Sequence, residues 1–293
     1  MIDILDHISI AVRDLAATKR TYTRILGREP TWEGEHPGLG SSNLIYRLRN
    51  TYLEFVQATG EGMFADMIRK KLEDEGEGLM GLAFGTVNAD ACVRHLKAAG
   101  LNPTDPQAGG ATDANGNERS WRNVMLAPEE TGGLFLFVIE QEDRLAIPLS
   151  PVSEGVNGRA AVDAIDHVVV NTPRPDDLIA FFEGQLGIRL ALDHTIEKWG
   201  VRQLFFRIGN LTLEVVTPTA KDKQPEKDSP KKNELWGMAY RCPDLSQMQE
   251  RLKASGVDVS DVRIGRKKGT LVATVKPETH GIPTLLIGQD PEF

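Results

Sequence analysis

The stretch DHISIAV, Asp6 to Val12, returns as DHVVVNT, Asp166 to Thr172. Sliding the chain by 160 positions aligns Asp6-His7 with Asp166-His167, Leu26-Gly27 with Leu186-Gly187, Arg47 with Arg207, Asn50 with Asn210, and Leu53-Glu54 with Leu213-Glu214. No gap is needed across these pairs. Around the two glutamates the text reads LIYRLRNTYLEFV (Leu44 to Val56) and LFFRIGNLTLEVV (Leu204 to Val216). Residue type, spacing and apolar phase agree together, which marks a duplication.

A second offset, of 156, aligns GLAFGTV (Gly81 to Val87) with GMAYRCP (Gly237 to Pro243), and HLKAAGL (His95 to Leu101) with RLKASGV (Arg251 to Val257). Each half therefore holds two units, at about 1–60 and 78–142, then 161–219 and 234–293. ISIAV alternates and is β-branched, so it reads as a strand. Asp14 is placed to cap a helix whose apolar face carries Leu15, Tyr22, Ile25 and Leu26 and which Gly27 ends. After a Gly/Pro-rich loop, GEHPGLGSSN, two alternating runs meet across a turn at Arg49-Asn50. Unit 3 repeats the plan, with a helix over DDLIAFFEGQLG. The shared pattern is βαβββ, with the second strand poorly defined in units 1 and 3.

The chain has 293 residues, 40% hydrophobic and 26% charged, enough for two globular domains. We expect one domain over 1–142, a Pro/Gly/Ser-rich linker over 143–160 and a second domain over 161–293. No apolar run approaches the roughly 20 residues of a membrane helix. The opening MIDILDHISIAV carries acids where a signal peptide carries bases, so the expectation is a cytoplasmic protein. Net charge is −8, which opposes nonspecific attraction to nucleic acid or anionic membrane. The basic run in KDKQPEKDSPKKNE (Lys221 to Glu234) is interleaved with acids and prolines and reads as a solvated loop. Cys92 and Cys242 have no metal-ligand spacing and read as buried thiols. A P-loop, a GxGxxG after a strand and a GxSxG elbow are all missing.

Tandem βαβββ units that begin LDHISIAV and finish YLEFV, with HPGLGSSN between, resemble the vicinal oxygen chelate superfamily, and in particular its glyoxalase-like branch. That superfamily includes glyoxalase I, extradiol dioxygenases, methylmalonyl-CoA epimerase and bleomycin-resistance proteins. The resemblance implies an α+β fold: four βαβββ units forming two cupped mixed β-sheets with helices outside, first and fourth strands adjacent. It also implies a divalent metal (Fe, Mn, Zn or Ni) and a small-molecule substrate with vicinal oxygens, met by lyase, isomerase or ring-cleavage chemistry. The family's metal positions carry over to His7 and Glu54, and to His167 and Glu214, with Glu54 and Glu214 as the catalytic bases. Units 2 and 4 depart from the pattern: Gly81 and Gly237 replace the histidine, and Phe137 and Leu285 replace the glutamate. Two protein ligands per cup fall short of the usual three or four. Pairing unit 1 with unit 3, or like units across a homodimer, would gather two His and two Glu.

Arg47 and Arg207, if inward, would suit a substrate carboxylate; the bland alternative is a salt bridge outside the sheet. Trp32, His36, His194 and Trp199 lie in comparable loops and are candidate substrate contacts, as are Phe137 and Leu285. Asn50 and Asn210 read as turn residues, His95 as a surface residue, and His280 as a residue that could reach a cup from its rim. The rival reading is a non-catalytic protein that sequesters an apolar molecule, in which the glycines widen the pocket.

Overall fold

The computed structural model describes residues 1–144, 146–209, 211–219 and 232–292, so Asn210 and the run at 221–231 lie outside the described residues. The first half runs β1 (Ile2–Ala11), α1 (Leu15–Leu26), β2 (Trp32–His36), β3 (Ser41–Arg47), β4 (Tyr52–Ala58), α2 (Met63–Asp74), β5 (Gly78–Thr86), α3 (Ala89–Ala98), β6 (Gln107–Asp113), β7 (Glu118–Met125) and β8 (Phe135–Gln141). The second runs β9 (Ala164–Asn171), α4 (Pro175–Ile179), β10 (Arg189–Ile196), β11 (Val201–Ile208), β12 (Leu211–Pro218), β13 (Glu234–Arg241), α5 (Leu245–Ala254), β14 (Arg263–Ile264), β15 (Thr270–Val275) and β16 (Thr284–Gln289).

Two mixed sheets of eight strands result. The first is ordered β1-β4-β3-β2-β6-β7-β8-β5 and closes on itself as a barrel; the second, β10-β11-β12-β9-β13-β16-β15-β14, stays open. Unit 1 thus pairs with unit 2 and unit 3 with unit 4, through antiparallel β1–β5 and β9–β13 contacts. Pairing of units 1 and 3 does not occur within the chain, so each His-Glu pair faces its own hollow. Closure of the first sheet comes from β2, which pairs with β6 at Gly34–Asp113 and Glu35–Thr112. The Gly/Pro-rich stretch Gly34 to Asn43, expected as a loop, instead contributes Gly34 to His36 to β2 and Ser41 to Asn43 to β3. Glycine is required at position 34: a Cβ would meet Trp32 Nε1 at 2.5 Å and Thr112 O at 2.7 Å.

Asp14 accepts from the backbone N–H groups of Ala16 and Ala17, and Gly27 ends α1 in the left-handed region at φ 66. The helix expected over 176–187 is instead a five-residue α4 that passes into a π-helical turn, Ala180–Gln185, closed by Leu186 N–H donating to Phe181 O. Helix α2 lies between units 1 and 2; it packs Ile68 and Leu72 against Ala11, Val56 and Met80 and also buries Ala65.

One apolar core joins the two halves. It gathers Ile8, Tyr22, Phe55 and Leu82 with Val168, Phe182, Phe206 and Met248 on the faces of the sheets away from the hollows. Asn50 lies in the turn between β3 and β4, as expected, and also ties the halves together: its amide donates to Ile165 O (2.7 Å) and accepts from Ile165 N (3.1 Å). Arg251 reaches from α5 to the carbonyls of Arg24 and Ile25 at the end of α1. Cys92 and Cys242 are buried and free. Among the described residues no helix is long and apolar enough to cross a membrane.

Candidate functional site in each hollow

Strand register decides which side chains meet. In the first sheet His7 lies beside Tyr52, and Ser9 beside Glu54, across the parallel β1–β4 pair. Tyr52 is opposite Arg47, Glu54 opposite Ile45, and Val56 opposite Asn43 across β3–β4. Paired residues share a face, so His7, Tyr52, Glu54, Asn43 and Arg47 all point into the barrel. His7 Nε2 stands 3.3 Å from Glu54 Oε2 while its Nδ1 is held 2.8 Å from Asp6 Oδ1. The Asn43 amide donates to Glu54 Oε1 (2.7 Å) and accepts from Trp32 Nε1 (3.1 Å). His36 brings Nε2 to 3.6 Å from Glu54 Oε1, and its Nδ1 meets Ser41 Oγ at 2.8 Å. His7, Glu54 and His36 are all buried.

Burial alone would make His7 less basic, but hydrogen bonds to Asp6 and Glu54 and the charges of both raise its pKa to about 9. Burial would likewise raise the pKa of Glu54, yet the His36 and His7 contacts hold it well below the usual carboxylate range. Asp6 is also lowered, its burial outweighed by His7, Gln141 and Tyr52. The first hollow therefore holds an imidazolium between two carboxylates.

The second hollow repeats this geometry with more exposure. His167 Nε2 is 3.2 Å from Glu214 Oε2, and its Nδ1 is 2.9 Å from Asp166 Oδ1. Gln203 donates to Glu214 Oε1 at 2.5 Å. The hydrogen bond from His167, backed by its charge and those of Lys267 and Arg241, lowers the Asp166 pKa against its burial. The His167 side chain keeps 16% of its surface against 4% for His7, whereas the two glutamates are covered alike, at 12% and 11%. A cavity of about 330 Å³ lies on the same concave face, one inward position beyond Glu214, and is lined by Asn171, Val201, Val216 and Pro218. Over the mouth, Trp199 from the turn after β10 meets Arg266 from the turn after β14, the guanidinium 3.8 Å from the ring centre. That cation–π contact links the two edges of the open sheet.

Comparison with known families matches this architecture half by half. A glyoxalase-like domain model covers residues 5–163, and a glyoxalase/bleomycin resistance protein/dioxygenase superfamily model covers residues 166–274. The chain belongs to the glyoxalase-like domain family. An uncharacterised protein of Bacillus subtilis, YqjC, is 28% identical over 125 residues, which is 41% of this chain and 89% of that protein. Among solved structures, a mutant 4-hydroxymandelate synthase from Streptomyces coelicolor superposes with a TM-score of 0.69 at 15% identity, over 99% of this chain and 93% of that one. A Mn(II)-bound glyoxalase from Novosphingobium aromaticivorans superposes with a TM-score of 0.62 at 16% identity, over 98% and 82%. At these identities the structural likeness shows the fold.

A metal held by protein ligands alone does not fit either hollow of this glyoxalase-like chain. At Gly81 an added Cβ would meet Phe135 Cδ1 at 2.4 Å, and Phe137 sits edge-on to His7 with ring centres 5.6 Å apart. Phenylalanine thus fills the space that the glycine was expected to open. At Gly237 a Cβ would meet Pro283 O at 2.7 Å, and Leu285 lies in the row of His167 through Ala239. Among the described residues no group of three or more His, Cys, Asp or Glu could hold an ion. The trio His7, His36 and Glu54 is engaged within the barrel wall instead: His7 lies between Asp6 and Glu54, and His36 meets Ser41 and Asn43.

The remaining expectations resolve by position. Trp32 and His36 are interior strand residues of the first barrel, not loop residues at its mouth. His194 lies on β10 and is exposed, opposite Gln203. Register turns Arg47 and Arg207 inward, in the rows of His7 and His167; Arg207 donates to Thr212 Oγ1 at 2.7 Å. His280 reaches neither hollow, because its Nδ1 is bound to Glu77 Oε2 at 2.8 Å between the halves. His95 is exposed on α3. Sequence reasoning missed Asp6 and Asp166 as partners of the imidazoles, and Asn43 and Gln203 as partners of the carboxylates. The signal for the second pair was available: they align at the same offset of 160, but differ in residue type.

Proposed function

We propose that the chain is a small-molecule enzyme of the glyoxalase or epimerase kind whose working site is the second hollow. The observation that carries this reading is the His167–Glu214 pair, 3.2 Å apart, with the imidazole partly exposed and a cavity farther along the same strands at Val216 and Pro218. The substrate would be a compound with two neighbouring oxygens and an acidic C–H between or beside them. Gln203 holds Glu214 Oε1 and His167 Nε2 faces Oε2; the second lone pair of Oε2 takes the proton from that carbon. The electron pair passes to the neighbouring carbonyl as an enolate; the proton held on Glu214 exchanges with solvent, and reprotonation at carbon completes an isomerisation without any redox partner. Asp166 holds the imidazole in the orientation that keeps Nε2 toward the reacting groups. His167 and Glu214 are also the two residues that would meet a divalent ion such as Fe, Mn, Zn or Ni. They supply two donors where a resident ion needs three or more, so no step is assigned to it.

The first hollow, closed and ion-paired, is read as the counterpart that buttresses the fold. Sequestration without turnover is the second reading, favoured by the apolar Gly237 and Leu285 where a second ligand pair would stand. Both readings separate in one experiment. The protein is incubated in D₂O with 2-hydroxy ketones, 2-oxo acids and malonyl-type thioesters, and carbon-bound deuterium is followed by NMR, with and without added Mn(II) or Zn(II). Deuterium uptake that disappears in Glu214→Gln supports the enzyme. Saturable binding with no uptake under any condition supports sequestration.

A further inference from the structure

The first barrel contains two arginines that the proposed chemistry does not use. Arg47 enters from β3 and Arg119 from β7, and register turns both inward, Arg47 beside Tyr52 and Arg119 beside Ala111. Each guanidinium carbon lies 6.0 Å from the centre of the Tyr52 ring. Arg119 is buried, 8% exposed, within a wall of aromatic rings: its guanidinium is 5.2 Å from Trp32 and 5.5 Å from Trp121. Their polar contacts are few and neutral. Arg47 donates to the Arg144 carbonyl at 3.2 Å; Arg119 reaches Gln141 Oε1 at 3.3 Å and the Tyr52 hydroxyl at 3.5 Å. The Nε of each is buried without a hydrogen-bond partner, and neither forms an ion pair with a carboxylate among the described residues.

A buried guanidinium without a carboxylate, as at Arg119, is costly, and the half-buried Arg47 at the same ring adds to that cost. The nearby carboxylates do not discharge them. Asp6 and Glu54 are already engaged with His7, and neither forms an ion pair with Arg47 or Arg119 among the described residues. The unpaired Nε and its neighbouring Nη form the planar fork that matches a carboxylate, and the rings of Trp32, Trp121 and Tyr52 offer apolar faces beside it.

We propose that the first barrel is an internal binding site for a monocarboxylate with an aromatic or apolar body, its carboxylate gripped by Arg47 and Arg119. This site is separate from the second hollow and does not depend on turnover there. Its end is sealed by Ile147, which packs on Trp32, Ile45 and Tyr52, while Ser150 bonds the Arg47 backbone through its hydroxyl and its own N–H. Entry therefore displaces the segment that carries Ile147.

The test is calorimetric titration and thermal unfolding of the full chain with benzoate, phenylacetate and 3-phenylpropionate, against their neutral amides and inorganic phosphate. The expected result is saturable binding of at least one carboxylate, a raised Tm, and no response to its amide. Arg119→Met and Arg47→Met should each weaken that binding ~10- to 100-fold. They should leave the ligand-free Tm unchanged or higher, because each removes a charge without a carboxylate partner, buried at Arg119 and half-buried at Arg47. A structural arginine would behave oppositely, losing Tm on substitution with no change in binding. That outcome, a response to phosphate alone, or silence from all three acids overturns the assignment.

Discussion

Asn43 and Gln203 stand 160 positions apart and perform the same task, each donating its side-chain amide to the Oε1 of the glutamate in its own hollow, at 2.7 and 2.5 Å. The duplication has conserved a hydrogen bond while changing the length of the side chain that makes it. Each glutamate is thereby pinned by an amide on one oxygen and an imidazole on the other. Asn43→Leu should strand Glu54 Oε1 and Trp32 Nε1 together and cost about 2–4 kcal/mol in urea unfolding. Gln203→Leu, at a partly exposed position, should cost less than about 1 kcal/mol. Its effect should fall instead on the rate of deuterium uptake, which loses the fixed carboxylate.

Stability should depend on pH through the first hollow. The His7 pKa rises from 6.5 to about 9 on folding, so its contribution is complete below about 6.5 and disappears as pH climbs through 9. The loss amounts to roughly 3 kcal/mol at most. Asp6 and Glu54 shift the other way, so their contributions hold above their ordinary values of 3.8 and 4.5 and fade as acid is added. A stability plateau is expected between about 4.5 and 6.5. Urea midpoints measured from pH 5 to 10 should decline in the parent protein above that plateau and decline less in His7→Asn. Parallel curves for the two proteins would contradict the ion pair.

Glycine at position 81 is a packing requirement and not an opening for substrate. Gly81→Ala places a Cβ 2.8 Å from the Phe135 carbonyl oxygen as well as against its ring. The expected cost is about 1–3 kcal/mol by thermal unfolding. Moving the ring alone, with Phe135→Ala beside Gly81→Ala, should not restore the parent Tm, because the carbonyl clash persists.

How much of this was readable beforehand differs by element. The tandem units followed from a repeat in which DHISIAV and TYLEFV preserve β alternation, while the α+β class and the adjacency of first and fourth strands were implied by the resemblance to the vicinal oxygen chelate superfamily. Hidden was the closure of the first sheet: β2 is only five residues long and contains Gly34, so its pairing with β6 is a tertiary contact with no local signature. The inward turn of Arg47 was also out of reach, since parity across the Arg49-Asn50 turn is fixed by register alone. Phe135, which covers Gly81, was invisible for the same reason: it is 54 positions away and meets the glycine only through the parallel β5–β8 pair. His280 misled because a histidine before a last strand says nothing about Glu77 waiting on the other half.

Trp199 should report ligand entry. Its ring carries the Arg266 guanidinium across the mouth of the second hollow, and both side chains lie away from the shared core. Arg266→Ala should leave Tm within about 0.5 kcal/mol of the parent while altering Trp199 fluorescence and raising KM. A change in kcat with KM untouched would remove the clasp from the account.

The division of labour between the hollows is tested most directly by comparing Glu54→Gln and Glu214→Gln for deuterium uptake into the same substrate, at a temperature where both are folded by circular dichroism. The account predicts that Glu214→Gln reduces uptake at least ~100-fold, as expected for a lost general base, whereas Glu54→Gln stays within a few-fold of the parent. Loss of uptake in Glu54→Gln with Glu214→Gln still active would place the chemistry in the closed barrel and contradict it.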